Sequence, residues 1–149
     1  MDASKRVGDL IAISRQLAEL LTQENTALRD NQPDQVTALF DQKDELSRAY
    51  ESRVSGLAEH VGAEEMKTID LTLRDHLRIL GREIQTLSAE NAGLLQIAME
   101  VNRRVLHGVA DAVKASQPSA GTYSNTGTIS HGARRVAPQN VPISLDKSF

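Results

Sequence analysis

The sequence predicts an all-α protein: an antiparallel three-helix, coiled-coil-like bundle with a long third helix and a disordered C-terminal tail. Three observations lead to this fold class. Apolar residues recur three and four positions apart along most of residues 1–115, the spacing of a helix–helix seam. Aromatic residues make up only 3% of the chain, so the core must rely on Leu, Ile and Val. Pro33 is the single proline before residue 115, so no other proline would interrupt a long helix in this part of the chain.

Charge and composition divide the chain near residue 115 into a body and a tail. Residues 1–115 hold 14 basic and 19 acidic residues, a net charge of −5, whereas residues 116–149 hold three basic and one acidic, a net charge of +2. The second segment is rich in Ser, Thr, Gly and Pro, and it has too little apolar surface to offset its ordering entropy. We therefore predict a helical body over residues 1–115 and a tail over residues 116–149 that is disordered until it is bound.

The first two helices are predicted over about residues 3–30 and 33–60. Seven residues alternate three and four apart on the first: Val7, Leu10, Ser14, Leu17, Leu21, Glu24 and Leu28. Pro33 suits the first turn of the second helix, where its missing N–H is not needed. The matching stripe there is Val36, Leu39, Lys43, Leu46, Tyr50, Val54 and Leu57. Gly62 is expected to end this helix in a left-handed conformation.

The third helix is predicted over about residues 63–115. Glu64 and Glu65 lie in its first turn, where their negative charges interact favourably with the helix dipole. Its apolar stripe begins with Met66, Ile69, Leu73, Leu77, Leu80, Ile84 and Leu87. No proline interrupts the sequence before residue 117, so the stripe is expected to continue on one helix.

Folding the helices back on one another sets a register. The second helix then places Lys43 opposite Leu21, one turn from Glu24, and the third places Leu80 opposite Lys43. The third helix reaches the end of the hairpin near Asn91, so about 24 further residues, ~36 Å at ~1.5 Å per residue, project beyond it. Their stripe has no partner in the chain: Leu94, Leu95, Ala98, Val101, Val105 and Val109.

Three arrangements would cover this stripe. It packs on a second copy, it binds a different protein, or the helix folds back at Gly93 to form a four-helix bundle. A long exposed apolar stripe is typical of a binding surface, and helices are the usual partners of such stripes. We expect these six residues to bind a partner protein.

Two polar residues on the seams, Glu24 and Lys43, are expected to pair inside the hairpin. Together with Asn91 on the third helix they form a predicted polar seam. Its role is either to bind a ligand or to fix the helix register, and a polar layer in a coiled coil usually does the second.

Composition and motifs exclude several classes of function. The chain has no cysteine, its four histidines are scattered, and it carries no nucleotide-binding, metalloprotease or nucleophile-elbow motif. We therefore expect no enzyme activity, no cofactor and no metal. The net charge of −3 argues against nucleic-acid binding. Without a signal peptide or a long apolar run, the protein is expected to be soluble and cytoplasmic, with no membrane insertion.

Several short motifs resemble those of the FlgN family of flagellar export chaperones. They are Glu24-x-x-Ala27-Leu28, Lys43-x-x-Leu46 after the turn, Asn91-x-x-Leu94-Leu95 on a long third helix, and "GTYSNTG" in the tail. The resemblance covers most of the chain, except "RRVAPQNVPISLDKSF" at its end.

The resemblance implies a chaperone that holds hook–filament junction subunits, the hook-associated proteins, unassembled in the cytoplasm. It further implies delivery of these clients to the type III export gate. The alternative is a structural coiled-coil or oligomerisation protein that uses the same stripe for self-association, with an adaptor bundle as a third option. For the chaperone, the stripe predicts a monomer or a weak homodimer when no client is bound.

Tyr123 is the only aromatic residue between Tyr50 and Phe149. An isolated tyrosine among small residues is either simply exposed or an anchor for a binding partner. Gly127 and its neighbours leave the backbone free to fit a groove. With the resemblance, this predicts that Tyr123 and Gly127 dock on the cytoplasmic domain of the export gate.

Overall fold

The computed structural model describes residues 2–117, so the predicted disorder of the tail lies outside the described residues. Four helices follow one another: α1 (Ala3–Arg29), α2 (Pro33–His60), α3 (Ala63–Thr68) and α4 (Leu71–Ser116). No strand occurs among the described residues, and the predicted all-α fold class is confirmed. The observed bounds of α1 and α2 agree with the predicted ones to within one residue.

The described residues divide into two compact units, one that ends at Ala98 and one that begins at Met99. The first contains the α1–α2 hairpin, α3 and most of α4, and the second contains the last turns of α4. Gly93 lies inside α4, which continues without a break to Ser116. The fold-back at Gly93, which would have given a four-helix bundle, is therefore wrong.

The α1–α2 connection is a helix end closed by Asn31. Its φ of 53° places Asn31 in the left-handed region, which asparagine tolerates better than most residues. The Asn31 N–H donates to the Leu28 carbonyl at 3.2 Å, and the Gln32 N–H donates to the Ala27 carbonyl at 2.9 Å. These two bonds form a Schellman motif, and Pro33 then starts α2 at its first turn.

The predicted third helix is broken at Ile69 and Asp70, which separate α3 from α4. The Asp70 carboxylate accepts a hydrogen bond from the Thr72 N–H at 3.2 Å, so it caps the start of α4. Ile69 is in an extended conformation and is only 3% exposed, because it turns into the core beside α1. Gly62 is also extended, with a φ of −72°, so the predicted left-handed stop is wrong.

The core of the first unit consists of two apolar clusters along α1. The cluster near the start of α1 is formed by Ala3, Val7, Leu10, Ile11, Leu57 and Ile69. The cluster farther along α1 is formed by Leu17, Ala18, Leu20, Leu21, Leu46 and Ile84. Every predicted seam residue of α1 is buried or half-buried, whereas Val54 on the α2 seam is 39% exposed. α1 is therefore the central helix of the unit.

The register between α2 and α4 differs from the predicted one. Lys43 contacts Asn91, with Nζ 2.7 Å from Oδ1, where the predicted register placed Leu80, eleven residues earlier. The α3 segment and its break occupy residues that the prediction had assigned to the packed helix. As a result Leu94, Leu95 and Ala98 still belong to the first compact unit.

Candidate functional site

The predicted binding stripe divides into half-buried and exposed residues. In the first unit, Leu94, Leu95 and Ala98 are half-buried. In the second, Val101, Val105 and Val109 keep 50%, 57% and 55% of their surface exposed. The exposed part of the predicted stripe therefore lies on the last turns of α4.

This apolar surface is wider than the sequence-based list. Val113, one turn beyond Val109, is 51% exposed, and Leu106 and Met99 are 43% and 55% exposed. Val113 continues the spacing of four that relates Val101, Val105 and Val109, a signal already present in the sequence. We call Val101, Val105, Val109 and Val113 the valine row.

A cluster of charged residues lies on another side of the same turns. Arg103 binds the Glu100 carboxylate through two nitrogens, at 3.0 Å and 2.8 Å, and Arg104 Nε lies 2.9 Å from Glu100 Oε1. These hydrogen bonds lower the pKa of Glu100 from 4.5 to about 2. The bond from Arg103 has the largest effect, and the bond from Arg104 the next largest. The same carboxylate raises the pKa of Arg103. Apolar and charged groups thus occupy different sides of the helix, as in an amphipathic binding helix.

A buried polar cluster joins α1, α2 and α4 in the first unit. Lys43 Nζ lies 2.9 Å from Glu24 Oε2, and it donates to Asn91 Oδ1 at 2.7 Å. The Asn91 amide donates to Glu24 Oε2 at 2.9 Å. Glu24 and Asn91 are 3% and 4% exposed. The structure therefore brings the three residues of the predicted polar seam together.

Asn25 belongs to the same cluster, although it lies off the apolar spacing that predicts the seam of α1. It is 1% exposed, and its carbonyl oxygen accepts a hydrogen bond from the Asn91 amide at 2.9 Å. Its own amide donates to the Leu87 carbonyl at 3.2 Å and to Glu90 Oε2 at 3.4 Å. Glu90 in turn forms a salt bridge with Arg29. Asn25 extends the cluster from the buried layer to the surface.

The geometry of this cluster fits a structural role. Glu24, Lys43, Asn25 and Asn91 all hydrogen-bond one another or the backbone of α4, so their polar groups have partners within the protein. Such bonds form only in one register of the three helices, since a buried polar group without a partner costs about 1–3 kcal/mol. The cluster therefore fixes how α4 lies along the hairpin.

Other kinds of site find little support in residues 2–117. Within that range, no group of three or more His, Asp or Glu side chains is arranged to hold a metal ion. No helix there has both the length and the apolarity to cross a membrane. The predicted gate-docking residues, Tyr123 and Gly127, lie outside the described range.

Fold and surface together define a helical-bundle protein with an exposed apolar helix face at the end of its longest helix. The chain is similar to a curated protein of Caulobacter vibrioides, the flagellar basal-body protein FlbY. The two are 23% identical over 138 residues, which cover 89% of this chain and 91% of FlbY. No family model matches the chain, and no solved structure matches it. The comparisons thus support a relation to a flagellar protein, without identifying the FlgN family.

Proposed function

We propose that this protein is a flagellar export chaperone. It binds hook–filament junction subunits in the cytoplasm, prevents their premature assembly and delivers them to the type III export gate. It carries out no chemical reaction and uses no cofactor. Two independent observations support the proposal, the exposed apolar face of α4 and the similarity to a flagellar protein.

The exposed face is the observation that carries the proposal. Val101, Val105 and Val109 leave about half of their surface in water, on the turns of α4 that follow its buried residues Ile84 and Asn91. Burying a valine fully contributes about 1.5–3 kcal/mol, so half-exposed side chains on adjacent turns give a partner helix several kcal/mol of favourable contact. An amphipathic helix is the partner that fits such a face.

The mechanism follows from burying two apolar surfaces at once. A junction subunit that assembles through a terminal amphipathic helix exposes that helix before assembly. When the helix lies on the valine row, neither apolar surface remains free to associate with another molecule. The charged side of α4, with Glu100, Arg103 and Arg104, stays in water and keeps the complex dissolved.

The relation to FlbY supports a flagellar client over an unrelated one. Similarity covers nine-tenths of both chains, so it includes most of the hairpin and of α4. The step from a basal-body name to an export chaperone rests on the short motifs around Glu24, Lys43, Asn91 and Tyr123.

Titration calorimetry with a purified hook–filament junction subunit of the same organism tests the proposal. We expect Val101→Asp with Val105→Asp to abolish binding, because an aspartate against an apolar partner loses its hydration at a cost of several kcal/mol. His107→Asp is the control: it places one negative charge on the same turns but on the charged side, and it should bind as wild type. Equal binding by all three proteins would contradict the proposal.

The second candidate function is self-association through the same face. The observation in its favour is that an exposed apolar helix face accepts any amphipathic helix, including a second copy. Size-exclusion chromatography with light scattering separates the two functions. A chaperone should elute as a monomer or weak dimer and form a 1:1 complex, whereas a structural coiled-coil protein should form a stable homo-oligomer.

Delivery to the gate is assigned to the tail. Tyr123→Ala should leave client binding unchanged and weaken binding to the export gate's cytoplasmic domain by ~2 kcal/mol or more, as for a hot-spot anchor. Ser124→Ala is a neighbouring control that removes a hydroxyl but no aromatic ring. If Tyr123→Ala weakens client binding instead, tail and helix form one client-binding surface.

A further inference from the structure

A cavity lies between the first turns of α1 and the last turns of α2, at the end of the hairpin opposite the Asn31 connection. Its volume is about 350 Å³, near the lower end for small-molecule sites, so it has room for one small group. The lining residues are Arg6, Asp9, Ser52, Arg53, Gly56 and Leu57. The hairpin therefore brings together two arginines that are far apart in the sequence.

The packed core holds both arginines at this cavity. Arg6 is next to Val7, which is fully buried, and Arg53 lies one helical turn before Leu57, which is only 9% exposed. Val7 and Leu57 belong to the same apolar cluster. Because this cluster fixes α1 against α2, the packing that forms the hairpin also positions the two guanidiniums.

Gly56 allows the Arg6 side chain to reach α2. A Cβ added at Gly56 would lie 3.7 Å from Arg6 Nη1, so the guanidinium of Arg6 lies beside the α2 backbone. Arg53 and Ser52 precede Gly56 by three and four residues, which places them on the same face of α2. Two guanidiniums and one hydroxyl, all of them hydrogen-bond donors, thus line one cavity.

The charges at this cavity are not paired within residues 2–117. In that range neither Arg6 nor Arg53 forms a salt bridge, and the Asp9 carboxylate, which also lines the cavity, forms none either. Five other arginines there do have a carboxylate partner: Arg29, Arg48, Arg78, Arg103 and Arg104. Two positive charges and one negative charge give the cavity a net charge of +1.

We propose that this cavity binds a singly charged oxyanion, either a carboxylate or a phosphate group. Arginine suits both, because its planar guanidinium can donate two parallel hydrogen bonds to the oxygens of one anionic group. The Ser52 hydroxyl supplies a further donor on the α2 side. An anion held here joins Arg6 on α1 to Arg53 on α2.

Asp9 restricts which anions fit the site. One negative charge on the ligand is balanced by the net charge of +1, whereas a polyphosphate would place excess negative charge beside the Asp9 carboxylate. The ligand class is therefore a single carboxylate or phosphate group. This site lies on the hairpin, so its occupancy does not depend on whether the valine row of α4 binds a client.

Salt titrations of the full chain, followed by NMR of the arginine Nε–H groups, test the proposal. Sodium phosphate and sodium acetate are the probes, and sodium chloride at equal ionic strength is the reference. The Arg6 and Arg53 signals should follow saturable curves with at least one probe and should move little with chloride. Saturation by phosphate alone identifies a phosphate ligand, and saturation by acetate shows that a carboxylate is accepted. Equal shifts with all three salts would overturn the proposal, since they report only ionic screening.

Two arginine variants and a matched control locate the site. Arg6→Gln and Arg53→Gln should each weaken binding by about 10-fold, the loss of a charge-assisted hydrogen bond. Arg82→Gln on α4 is the control, because Arg82 also forms no salt bridge within residues 2–117 but does not line this cavity. It changes the net charge equally and should bind as wild type. An equal loss in all three variants would overturn the site, and circular dichroism verifies that each variant remains helical.

Asp9→Asn tests the charge balance of the cavity. Removing this negative charge should strengthen anion binding by roughly 3-fold, because the ligand then faces two positive charges without an opposing carboxylate. Weaker binding by Asp9→Asn would contradict the assignment of Asp9 as a charge that limits the ligand.

Melting temperatures give a second measurement that needs no signal assignment. An anion that binds only the folded chain raises its stability, so phosphate or acetate should raise the melting temperature more than chloride does at equal ionic strength. The extra rise should persist in Arg82→Gln and disappear in Arg53→Gln, whose altered side chain is exposed and leaves the core intact. The same rise in both variants would overturn the proposal.

Discussion

Lys43 on α2 donates a 2.7 Å hydrogen bond to Asn91 on α4, and this contact sets the register of the whole first unit. Asn91 simultaneously binds Glu24 on α1, so one amide side chain links all three long helices. The Lys43 side chain is 23% exposed and the Glu24 side chain 5%. The pair is therefore shielded from water on one side and open on the other.

Removing the Lys43 side chain should leave the buried Glu24 carboxylate without its positively charged partner. We expect Lys43→Ala to lower the free energy of unfolding by about 2 kcal/mol, below the full cost of breaking a buried pair because Lys43 retains some solvent contact. Lys43→Met with Glu24→Leu should recover much of this loss, though not all, since Asn91 then lacks two partners. Thermal melts of the wild type, Lys43→Ala and the double variant compare the three stabilities. A free energy of unfolding for Lys43→Ala within ~0.5 kcal/mol of the wild-type value would contradict this prediction.

Replacing Asn25 should lower the stability of the protein more than replacing the exposed Asn102. Asn25→Ala removes the acceptor of the Asn91 amide and should lower the free energy of unfolding by about 1–3 kcal/mol. Asn102→Ala makes the same chemical change at an exposed helix position and should stay within ~0.5 kcal/mol of wild type. Chemical denaturation of the two variants gives the comparison. Equal effects would mean that the Asn25 hydrogen bonds contribute nothing net.

The exposed valines should not contribute to folding. Val101→Asp with Val105→Asp should leave the melting temperature of the bundle nearly unchanged, because both side chains are half in water and Asp and Val have similar helix propensities. Ile84→Asp, at a position only 6% exposed, is the contrasting variant and should unfold the first unit. If the valine variant also unfolds, this face is covered in the folded chain.

Glu100 should titrate far below an ordinary glutamate. Its pKa of about 2 means that the carboxylate stays ionised well into the acidic range, where an ordinary glutamate is protonated. Since the folded pKa is depressed, any stabilisation is present above the ordinary value of 4.5 and is lost as pH falls towards 2. Carboxyl NMR titration measures this value. Arg103→Gln with Arg104→Gln should raise the pKa of Glu100 towards 4.5, and a value near 4.5 in the unaltered protein would contradict the contacts.

The break before α4 should depend on the Asp70 side chain. Asp70→Ala removes the acceptor of the Thr72 N–H and should cost about 1 kcal/mol, the usual effect of losing a helix cap. Asp70→Asn keeps an acceptor oxygen and should retain most of the stability. Faster hydrogen exchange of the Thr72 amide in the alanine variant alone is the local measurement. Identical exchange in both variants would show that the cap is unimportant.

The helices and the first seam were predictable because they depend on patterns that many residues share. Along α1 the alternation of three and four identifies the buried residues correctly, including Ser14 and Glu24. Asn25 was missed because it lies one position away from that pattern. α1 is covered on two sides, by α2 and by α4, so it buries a second row that a single seam does not include. Small or apolar residues at Ala18 and Ile11 were the available signal.

The break and the register were not predictable from apolar spacing. The apolar spacing fits a continuous helix through Met66, Ile69 and Leu73. The helix is nevertheless broken before α4, where the Asp70 carboxylate accepts a hydrogen bond from the Thr72 N–H. The break adds residues to the connection, and this moves every later contact of α4 by three turns. A local capping choice therefore altered which part of the predicted stripe is exposed, Val101 onward rather than Leu94 onward.

The polar cluster also limits how far α4 can slide along the α1–α2 hairpin. Sliding α4 by one heptad would set Lys43 against Ile84, a charge against hydrocarbon, and would separate Glu24 from Asn91. Helix shifts of this kind are a common way to relay a binding event between distant sites. Here the cluster acts as a mechanical stop that holds α4 at one position along the hairpin.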